Sequence, residues 1–437
     1  MNYISGILSK VAKKYNSVSL ILRIMAGLAL GVVLGLTVHS ASWIGIFGSL
    51  FVGALKGLAP ILVFAIVSSA MTHDSAKADA RFGRVIFLYL LTTFVAAVLS
   101  VVMSLGFPVV IDLPAASETP GAAPEGLSDV FVNLIVNLVT NPLKAIIDAN
   151  YIGILFWAIL FGVSMKSVGS SGTKEAMKNV ADAISTMVRF VISLAPFGIM
   201  GLVYTSVAES GLGIFRSYGK LLLLLVGAML VQALVVSPII AFLFMRRNPF
   251  PLLFRCVRES GMTAFFTRSS AANIPVNMAL CERMGLDKDF YSLSIPLGST
   301  INMNGAAITI TIMTLAAANT LGIAVSLPAA IFLSFVAALG ACGASGVAGG
   351  SLLLIPMACA LFGISNDVAM QVVGVGFVVS VIQDSMETAL NSSGDVMFTS
   401  VAEFVAWQKE GRRLPDFMYS KKELADLRAA EGRGREN

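Results

Sequence analysis

Inside long apolar segments near the end of the chain lie two short polar stretches, Asn-Met-Asn-Gly at 302–305 and Asn-Ser-Ser-Gly-Asp at 391–395. Both begin with the pattern Asn-x-x-Gly. A broken helix in hydrocarbon leaves backbone N–H and C=O groups without partners, so it is tolerated only where protein buries it or where it lines a solute cavity. The two stretches therefore predict two broken membrane helices and a binding site for a small solute and its coupling ion.

The composition indicates a protein that crosses a membrane several times. Of the 437 residues, 57% are hydrophobic and 13% are charged, which is about half the charged share of a soluble domain. The mean hydropathy is +0.85. The net charge of +5 is not a sign of nucleic-acid binding, because basic residues beside apolar spans ordinarily set the orientation in the bilayer.

Eight apolar stretches are long enough to cross a bilayer, which takes about 20 residues. They lie at 20–38, 43–70, 85–111, 149–168, 183–207, 219–245, 290–319 and 368–401. The first of them is longer than the apolar core of a signal peptide, which has about 7–15 residues. It is therefore predicted to be the first span, and the last two spans carry the polar breaks.

Lysine and arginine concentrate in every second connection between these spans. The basic residues that flank the spans are Lys10, Lys13, Lys14, Lys77, Arg81, Arg84, Lys166, Lys174, Lys178, Arg246, Arg247, Arg255 and Arg258, followed by a tail that contains 15 of the 55 charges. The connection at 112–129 has no basic residue. Since basic residues stay on the cytoplasmic side, both termini are predicted to be cytoplasmic.

Two further segments are apolar, but each consists of two halves that are too short to cross the bilayer. Residues 327–362 contain two apolar pieces separated by a glycine-rich stretch at 340–351, and residues 250–282 contain a polar tip at 265–275. Both are predicted to be re-entrant hairpins. The first opens from the cytoplasm and the second from outside, so that a hairpin followed by a broken helix occurs twice with inverted topology, as in many transporters.

The last predicted span carries ionisable and amide residues at steps of three and four. They are Asp384, Glu387 or Thr388, Asn391 and Asp395. This spacing places them on one helical face, and ionisable groups inside a membrane ordinarily face a cavity, an ion or a partner charge. One alternative is a buried ion pair of Arg268 with Asp384 or Glu387; it is compatible with a role in binding.

Other classes of protein are disfavoured by the same sequence. The four cysteines, Cys256, Cys281, Cys342 and Cys359, have no paired spacing, which disfavours disulfides and a zinc site. An intramembrane enzyme would need a nucleophile with a base, or a metal cluster, and both histidines lie outside the broken helices. The chain is therefore predicted not to be an enzyme, and a channel is a weaker competitor than a transporter.

The residues that carry these features are similar to one known family. Arg-Ser-Ser at 268–270, Pro-Leu-Gly-Ser-Thr-Ile-Asn-Met-Asn-Gly at 296–305, the glycine-rich tip at 343–350 and the polar series at 384–395 resemble the dicarboxylate/amino acid:cation symporter family. Within it, the bacterial sodium/serine–threonine symporters are most similar. The resemblance covers nearly the whole chain and is strongest at 250–400.

This resemblance implies an all-α polytopic membrane protein with eight transmembrane helices, two re-entrant helical hairpins, inverted repeats and an elevator-type mechanism. It also implies a homotrimer in the bacterial inner membrane. Spans 1, 2, 4 and 5 would form a fixed scaffold, and spans 3 and 6 would move with the transport core. The regions expected are 1–245 for the six N-terminal helices, 246–402 for the transport core and 403–437 for a cytoplasmic tail.

Roles in substrate binding are carried over by matching position. The substrate-binding residues that the resemblance implies are Arg268, Ser269, Ser270, Gly346, Val347, Asp384, Glu387, Thr388 and Asn391. Asp384 would hold the ammonium group of an amino acid. Asn391, Ser270, Thr388 and the backbone at 346–347 would hold its carboxylate or line the pocket.

Two sodium sites are implied in the same way. The first comprises the carbonyls of Gly298, Asn302 and Asn391 with the carboxylate of Asp395, and the second comprises the Thr300 carbonyl with the backbone of Ala341, Cys342 and Ala344. A third family site corresponds to Tyr89, Thr92, Thr93 and Asn302. Its carboxylate position is Asn304 in this chain, so fewer coupled ions are expected. No cofactor other than sodium is expected.

A departure from the family pattern bears on the substrate. Members that take acidic substrates carry an arginine one residue before the position of Thr388, and this chain has Glu387 there. Because a carboxylate repels an acidic side chain, the expected substrates are serine and threonine, imported with sodium. The alternative is a sodium- or proton-coupled symporter for other small neutral or dicarboxylic amino acids. Membrane lipid is the other expected partner, and nucleic acid is not.

Overall fold

A computed structural model describes residues 18, 20–38, 41–72, 80–111, 113, 139–148, 150–342, 344 and 349–425. Over these residues the chain is helical and contains no strand, as the sequence predicts. Both histidines, nearly all of the connection at 112–129, and the last part of the tail lie outside the described residues.

Nine α-helices lie in the described part of the N-terminal half. They are α1 (Leu20–Thr37), α2 (Gly45–Thr72), α3 (Ala80–Gly106), α4 (Pro142–Ile147), α5 (Tyr151–Val168), α6 (Ser171–Ser193), α7 (Ala195–Ser210), α8 (Ile214–Val231) and α9 (Ser237–Met245). A π-helical turn, Gln232–Val236, joins α8 to α9. Pro238 follows this turn, and because proline has no N–H and crowds the carbonyl four residues before it, the wider turn accommodates it.

The C-terminal half is described by eight more helices. They are α10 (Phe250–Cys256), α11 (Met262–Thr267), α12 (Ser270–Arg283), α13 (Lys288–Ile301), α14 (Asn304–Thr320), α15 (Leu327–Ala341), α16 (Ile355–Cys359) and α17 (Asn366–Lys409). The first predicted hairpin is the helix pair α10–α11 and α12, which turns at Arg268. The second is α15 followed by helical turns over Ser351–Phe362, and residues 343 and 345–348 of its tip lie outside the described residues.

Five helices in the described part of the chain are long and apolar enough to cross a membrane, or six if one bent pair is a single span. The bent pair is α6 with α7, which meet at 52°. The sequence predicted one span at 183–207, and the structure has a bend within it, between Ser193 and Ala195. Its cause is Pro196, since a proline removes a helical hydrogen bond and clashes with the preceding turn. The shorter apolar helices include α1 and α5, at two of the eight predicted spans.

The predicted break at 302–305 is present, and two of its backbone N–H groups are bonded to side chains of other helices. Asn302 and Met303 leave the helical conformation, with φ and ψ of −92° and 74° and of −113° and 51°. Thr93 of α3 accepts a hydrogen bond from the Met303 N–H at 3.2 Å, and Asn391 of α17 accepts one from the Gly305 N–H at 2.7 Å. Each buried group left without such a partner would cost about 1–3 kcal/mol.

The predicted break at 391–395 is wrong, because α17 is one helix of 44 residues that runs through it. Its polar side chains do not interrupt the helix: Asn391 bonds to a neighbouring helix, and Ser393 bonds within α17. The Asn391 side chain caps the α14 end of the other break, and the Ser393 hydroxyl donates to the carbonyl of Ala389 at 2.6 Å. Gly394 fits because a Cβ there would lie 2.7 Å from the Asn302 amide nitrogen.

Packing places α17 in the centre of the C-terminal half. It contacts both arms of the first hairpin and both halves of the broken helix, as well as α3, α8 and α9. The α3 helix also packs on α14 and α15, whereas α1 packs mainly on α7 and α2 packs on α5, α6 and α7. The polar residues of α17 are thereby buried among helices that come from several parts of the chain.

Candidate functional site

The tips of both hairpins meet at Asp384 on α17. The Arg268 Nε donates to Asp384 Oδ2 at 2.6 Å, and the backbone N–H of Gly349 donates to Asp384 Oδ1 at 3.0 Å. Arg268 has a φ of 52°, which is uncommon outside glycine, and such strain is frequent at ligand sites. The buried carboxylate therefore joins the first hairpin to the second through both of its oxygens.

The sequence left open whether Arg268 would form a buried ion pair with Asp384 or with Glu387. In the structure its partner is Asp384. Both residues are buried, with 6% and 2% of their surface exposed, and the Arg268 Nη1 atom is buried without a partner among the described residues. A buried ion pair is stable only if its hydrogen bonds are well satisfied. An incoming ammonium group would have to share or replace the arginine at this carboxylate.

Glu387 lies one turn further along α17, in a cage of donors. Its Oε2 atom accepts hydrogen bonds from the Thr309 hydroxyl at 2.8 Å, the Ser351 hydroxyl at 2.8 Å and the Gln383 amide at 2.6 Å. Among the described residues its Oε1 atom accepts none. The cage fixes the position of the carboxylate and leaves one oxygen available.

The sequence reasoning missed the three cage residues. Gln383 precedes Glu387 by four residues, and the helical spacing that grouped the other residues of this face could have identified it. Thr309 and Ser351 come from α14 and the second hairpin, so no local signal in the sequence indicated them.

The other residues of the predicted substrate site are held by local contacts. The Thr388 hydroxyl donates to the carbonyl of Asp384 at 2.7 Å. Ser269 caps the start of α12, where its hydroxyl accepts from the Ala272 N–H at 3.2 Å, and Ser270 beside it is buried. Gly346 and Val347 lie outside the described residues.

The first predicted sodium site brings together the break and α17. The Asn302 side-chain amide donates to the carbonyl of Asn391 at 3.1 Å and to Asp395 Oδ1 at 3.0 Å. A Cβ at Gly298 would lie 2.9 Å from the same carboxylate oxygen. Glycine thus lets the backbone of α13 approach the Asp395 carboxylate.

Asp395 is suited to hold a cation. Its side chain is fully buried, and its Oδ2 atom has no hydrogen-bond partner among the described residues. A buried charge without a partner is costly, and oxygen-rich coordination with backbone carbonyls suits a small monovalent cation. In the described part of the chain there is no cluster of three His, Cys, Asp or Glu residues that would favour a transition metal.

The residues of the possible third site also lie together. Thr93 Oγ1 donates to Asn304 Oδ1 at 3.0 Å, and Thr92 Oγ1 lies 3.4 Å from Asn302 Oδ1. The Tyr89 hydroxyl lies 2.7 Å from the Thr399 hydroxyl and 3.1 Å from the carbonyl of Asp395. The group contains no carboxylate side chain, and the amide nitrogen of Asn304 is buried without a partner there.

The second predicted sodium site is formed by two elements that touch. The Cys342 Sγ lies 3.6 Å from the carbonyl of Ile301, which places the end of α15 beside the last turn of α13. Ala341 is buried and the Ala344 N–H donates to its carbonyl at 2.9 Å. The Thr300 hydroxyl donates within its own helix, to the carbonyl of Leu297 at 2.7 Å.

A second polar network, which the sequence analysis did not predict, joins the first hairpin to α17. The Asn273 amide donates to the Ser260 carbonyl at 3.2 Å and to the Ser392 hydroxyl at 2.9 Å. The Asn277 amide donates to the Ser392 carbonyl at 3.2 Å. Because Ser260 lies in a π-helical turn, these bonds satisfy backbone groups and fix the hairpin against α17.

Sequence comparisons show which known proteins the chain is similar to. The family profile described as "Sodium:dicarboxylate symporter family" matches residues 20–404. A protein named serine/threonine transporter SstT from Bifidobacterium adolescentis is 64% identical over 98% of this chain and 99% of its own length. Proteins of the same name are 58% identical in Streptococcus agalactiae serotype Ia, over 91% of this chain and 98% of their own, and 54% identical in Streptococcus thermophilus strain LMG 18311, over 90% and 98%.

Proposed function

Because the chain belongs to the Sodium:dicarboxylate symporter family, we propose that it is a secondary transporter that imports serine and threonine together with sodium ions. The names of its relatives support the substrates. The observation that carries the sodium coupling is the buried Asp395, whose Oδ2 atom has no hydrogen-bond partner among the described residues, beside the broken helix.

In this proposal Asp384 binds the ammonium group of the substrate in place of part of its contact with Arg268. Thr388, Asn391, Ser270 and the backbone of 346–347 receive the substrate carboxylate. Glu387 faces the substrate side chain with its Oε1 atom, where it accepts a hydrogen bond from a serine or threonine hydroxyl and repels an acidic side chain.

Sodium binding is assigned to the oxygens around Asp395 and to the second site at Thr300, Ala341, Cys342 and Ala344. The Asn302 amide now bridges Asp395 to the carbonyl of Asn391. A cation bound there would balance the negative charge of the Asp395 carboxylate and would attract that carboxylate and the Asn391 carbonyl. Since Asn391 also caps the α14 end of the break, ion binding and the substrate pocket share a residue.

The larger architecture is proposed by family membership. The chain is a multi-pass membrane protein, and we assign it eight spans, two re-entrant hairpins with inverted topology, cytoplasmic termini and a place in the bacterial inner membrane. Spans 3 and 6 would move with the core of 246–402 in an elevator motion against a trimeric scaffold of spans 1, 2, 4 and 5. The packing of α3, α8 and α9 on α17 supports this grouping.

The proposal is tested with purified protein in liposomes and labelled serine. Uptake against the serine gradient is expected when sodium is higher on the outside, and competition by unlabelled threonine should exceed competition by aspartate. A proton gradient without sodium should give no accumulation. Equal accumulation under a proton gradient alone would contradict sodium coupling and would favour the proton-coupled alternative.

The number of coupled sodium ions is expected to be two. An amide offers a dipole where a carboxylate offers a full charge, and a cation in a poorly solvated site gains much more from the charge. Asn304 should therefore not support a third ion beside Thr93. Reversal potentials measured in liposomes at several sodium gradients give the stoichiometry, and three ions per serine would show that Asn304 suffices.

A further inference from the structure

A polar cavity of about 540 Å³ lies where α3 begins and α17 ends. Its wall includes four basic residues, Arg81, Arg84, Lys409 and Arg412, and three acidic ones, Asp287, Glu403 and Glu410. Glu403 follows Asp395 by eight residues, which is about 12 Å along the helix. The cavity is therefore separate from the proposed substrate and sodium sites.

Part of this charge is internally compensated. Arg81 Nη1 lies 3.0 Å from Asp287 Oδ2 and 3.6 Å from Glu403 Oε1. The same glutamate oxygen accepts hydrogen bonds from the Asp287 N–H at 2.9 Å and from the Trp407 indole at 3.1 Å. These contacts fix one wall of the cavity through the Oε1 atom of Glu403, whose Oε2 atom is buried without a hydrogen-bond partner among the described residues.

The other three basic residues of the cavity are not paired with a carboxylate in this way. Within the described residues, Arg84, Lys409 and Arg412 form no ion pair, and the four basic and three acidic residues give the lining a net charge of +1. Arg84 Nη1 donates to the carbonyl of Ala402 at 2.8 Å, which uses one of the five N–H groups of a guanidinium. Arg412 lies over the Trp407 ring, 3.7 Å from its centroid, and this holds it in place without neutralising it.

The cavity lies at the boundary of the apolar spans. Arg84 is followed by 85–111, which contains no charged residue. Phe87 and Leu90 lie three and six residues after Arg84 and are 54% and 44% exposed. An apolar strip thus runs from the cationic wall along the outer surface of α3.

We propose that this cavity binds the phosphate headgroup of an anionic phospholipid. The guanidinium groups of Arg84 and Arg412 match phosphate oxygens, with which arginine forms paired hydrogen bonds. Basic pockets between spans bind such headgroups in membrane proteins. A lipid fits better than soluble phosphate because its acyl chains would cover Phe87 and Leu90.

The test measures lipid retention by native mass spectrometry of the full-length protein, exchanged in detergent with phosphatidylglycerol and phosphatidylcholine. The protein is expected to retain phosphatidylglycerol preferentially. Arg84→Gln and Arg412→Gln should each reduce that retention about fivefold, the effect of one basic residue at a membrane surface. Arg258→Gln, which removes an exposed arginine outside the cavity, is the matched control and should retain the lipid.

Several outcomes would overturn the proposal. Equal retention of the two lipids would do so, and so would equal losses in Arg258→Gln and the cavity variants. Binding of inorganic phosphate that is lost in the cavity variants, without preferential retention of phosphatidylglycerol, would show that the site takes a soluble anion and not a lipid. Thermal unfolding of each variant, compared in phosphatidylcholine, identifies any loss of fold. Because no transport is measured, the outcome is independent of the proposed function.

Discussion

Replacing Asp384 by asparagine is expected to abolish serine binding and uptake. The substitution keeps the shape of the side chain but removes the charge that pairs with Arg268 at 2.6 Å and, in the proposed complex, with the substrate ammonium group. Loss of one partner of a buried charge pair costs about 2–5 kcal/mol, so serine affinity should fall at least about thirtyfold. Calorimetric titration of purified protein with serine measures this directly.

Asp367→Asn is the matched control for this variant. It removes the same charge from the same helix, at an exposed position in its first turn, and should leave serine affinity within about twofold. Thermal unfolding should show that both variants are folded. Serine affinity within twofold of the original in folded Asp384→Asn would contradict the role of Asp384 as the ammonium partner.

Glu387→Arg is expected to reduce serine uptake strongly and to make aspartate a competitor. Arginine cannot accept the hydrogen bonds that Thr309, Ser351 and Gln383 now donate to the carboxylate. A guanidinium at this position could, however, bind an acidic side chain through paired bonds. Serine uptake should fall at least about tenfold, the effect of leaving even one buried donor unsatisfied.

Glu387→Gln separates charge from shape in the same position. It retains an oxygen that can accept from the cage, so the fold of the pocket should persist. The amide nitrogen then faces the substrate, and serine affinity should fall about fivefold, because a hydrogen bond between neutral groups is about 1 kcal/mol weaker than one to a charged acceptor. Competition of labelled serine uptake by serine, alanine and aspartate is the measurement for both variants.

The selectivity argument would be wrong if both variants left the order of competitors unchanged. Glu387 would then serve to hold Ser351 of the second hairpin against α17, and not to face the substrate. Whatever the outcome of the competition experiment, Arg268 is not the partner of Glu387, because that arginine is bonded to Asp384.

Much of the fold follows from local features of the sequence. Runs of apolar residues gave the helices, and the glycine-rich and polar tips gave the two hairpins. The break at 302–305 was predictable because Asn302 and Met303 are followed by a glycine in an otherwise apolar segment. The bend at Pro196 was also available from the sequence, since proline disrupts the helix before it, but hydropathy alone does not separate α6 from α7.

The error at 391–395 shows what the sequence could not supply. Polar residues in a membrane helix either break it or serve a neighbouring element, and the choice depends on what lies opposite. Here Asn302 lies against Gly394, and the Asn391 side chain caps α14. The pattern Asn-x-x-Gly is the same in both segments, but one is the break and the other is its partner.

The candidate site was predictable to a similar degree. The spacing of Asp384, Glu387, Asn391 and Asp395 placed them on one face of one helix. Which group each would meet was not predictable, because Arg268, Thr309 and Ser351 come from other elements. The sequence therefore left open whether Arg268 would pair with Asp384 or with Glu387, and only tertiary packing decides between them.

The dependence of serine affinity on sodium, measured for the original protein and for Asp395→Asn, is the most direct test of ion coupling at this site. Serine affinity should rise with sodium at constant ionic strength, with a logarithmic slope that approaches about two, because two coupled ligands strengthen each other reciprocally. Asp395→Asn should lower that slope to about one, and Asp367→Asn should leave it unchanged. Serine affinity that does not depend on sodium, or an unchanged slope in folded Asp395→Asn, would contradict sodium binding at Asp395.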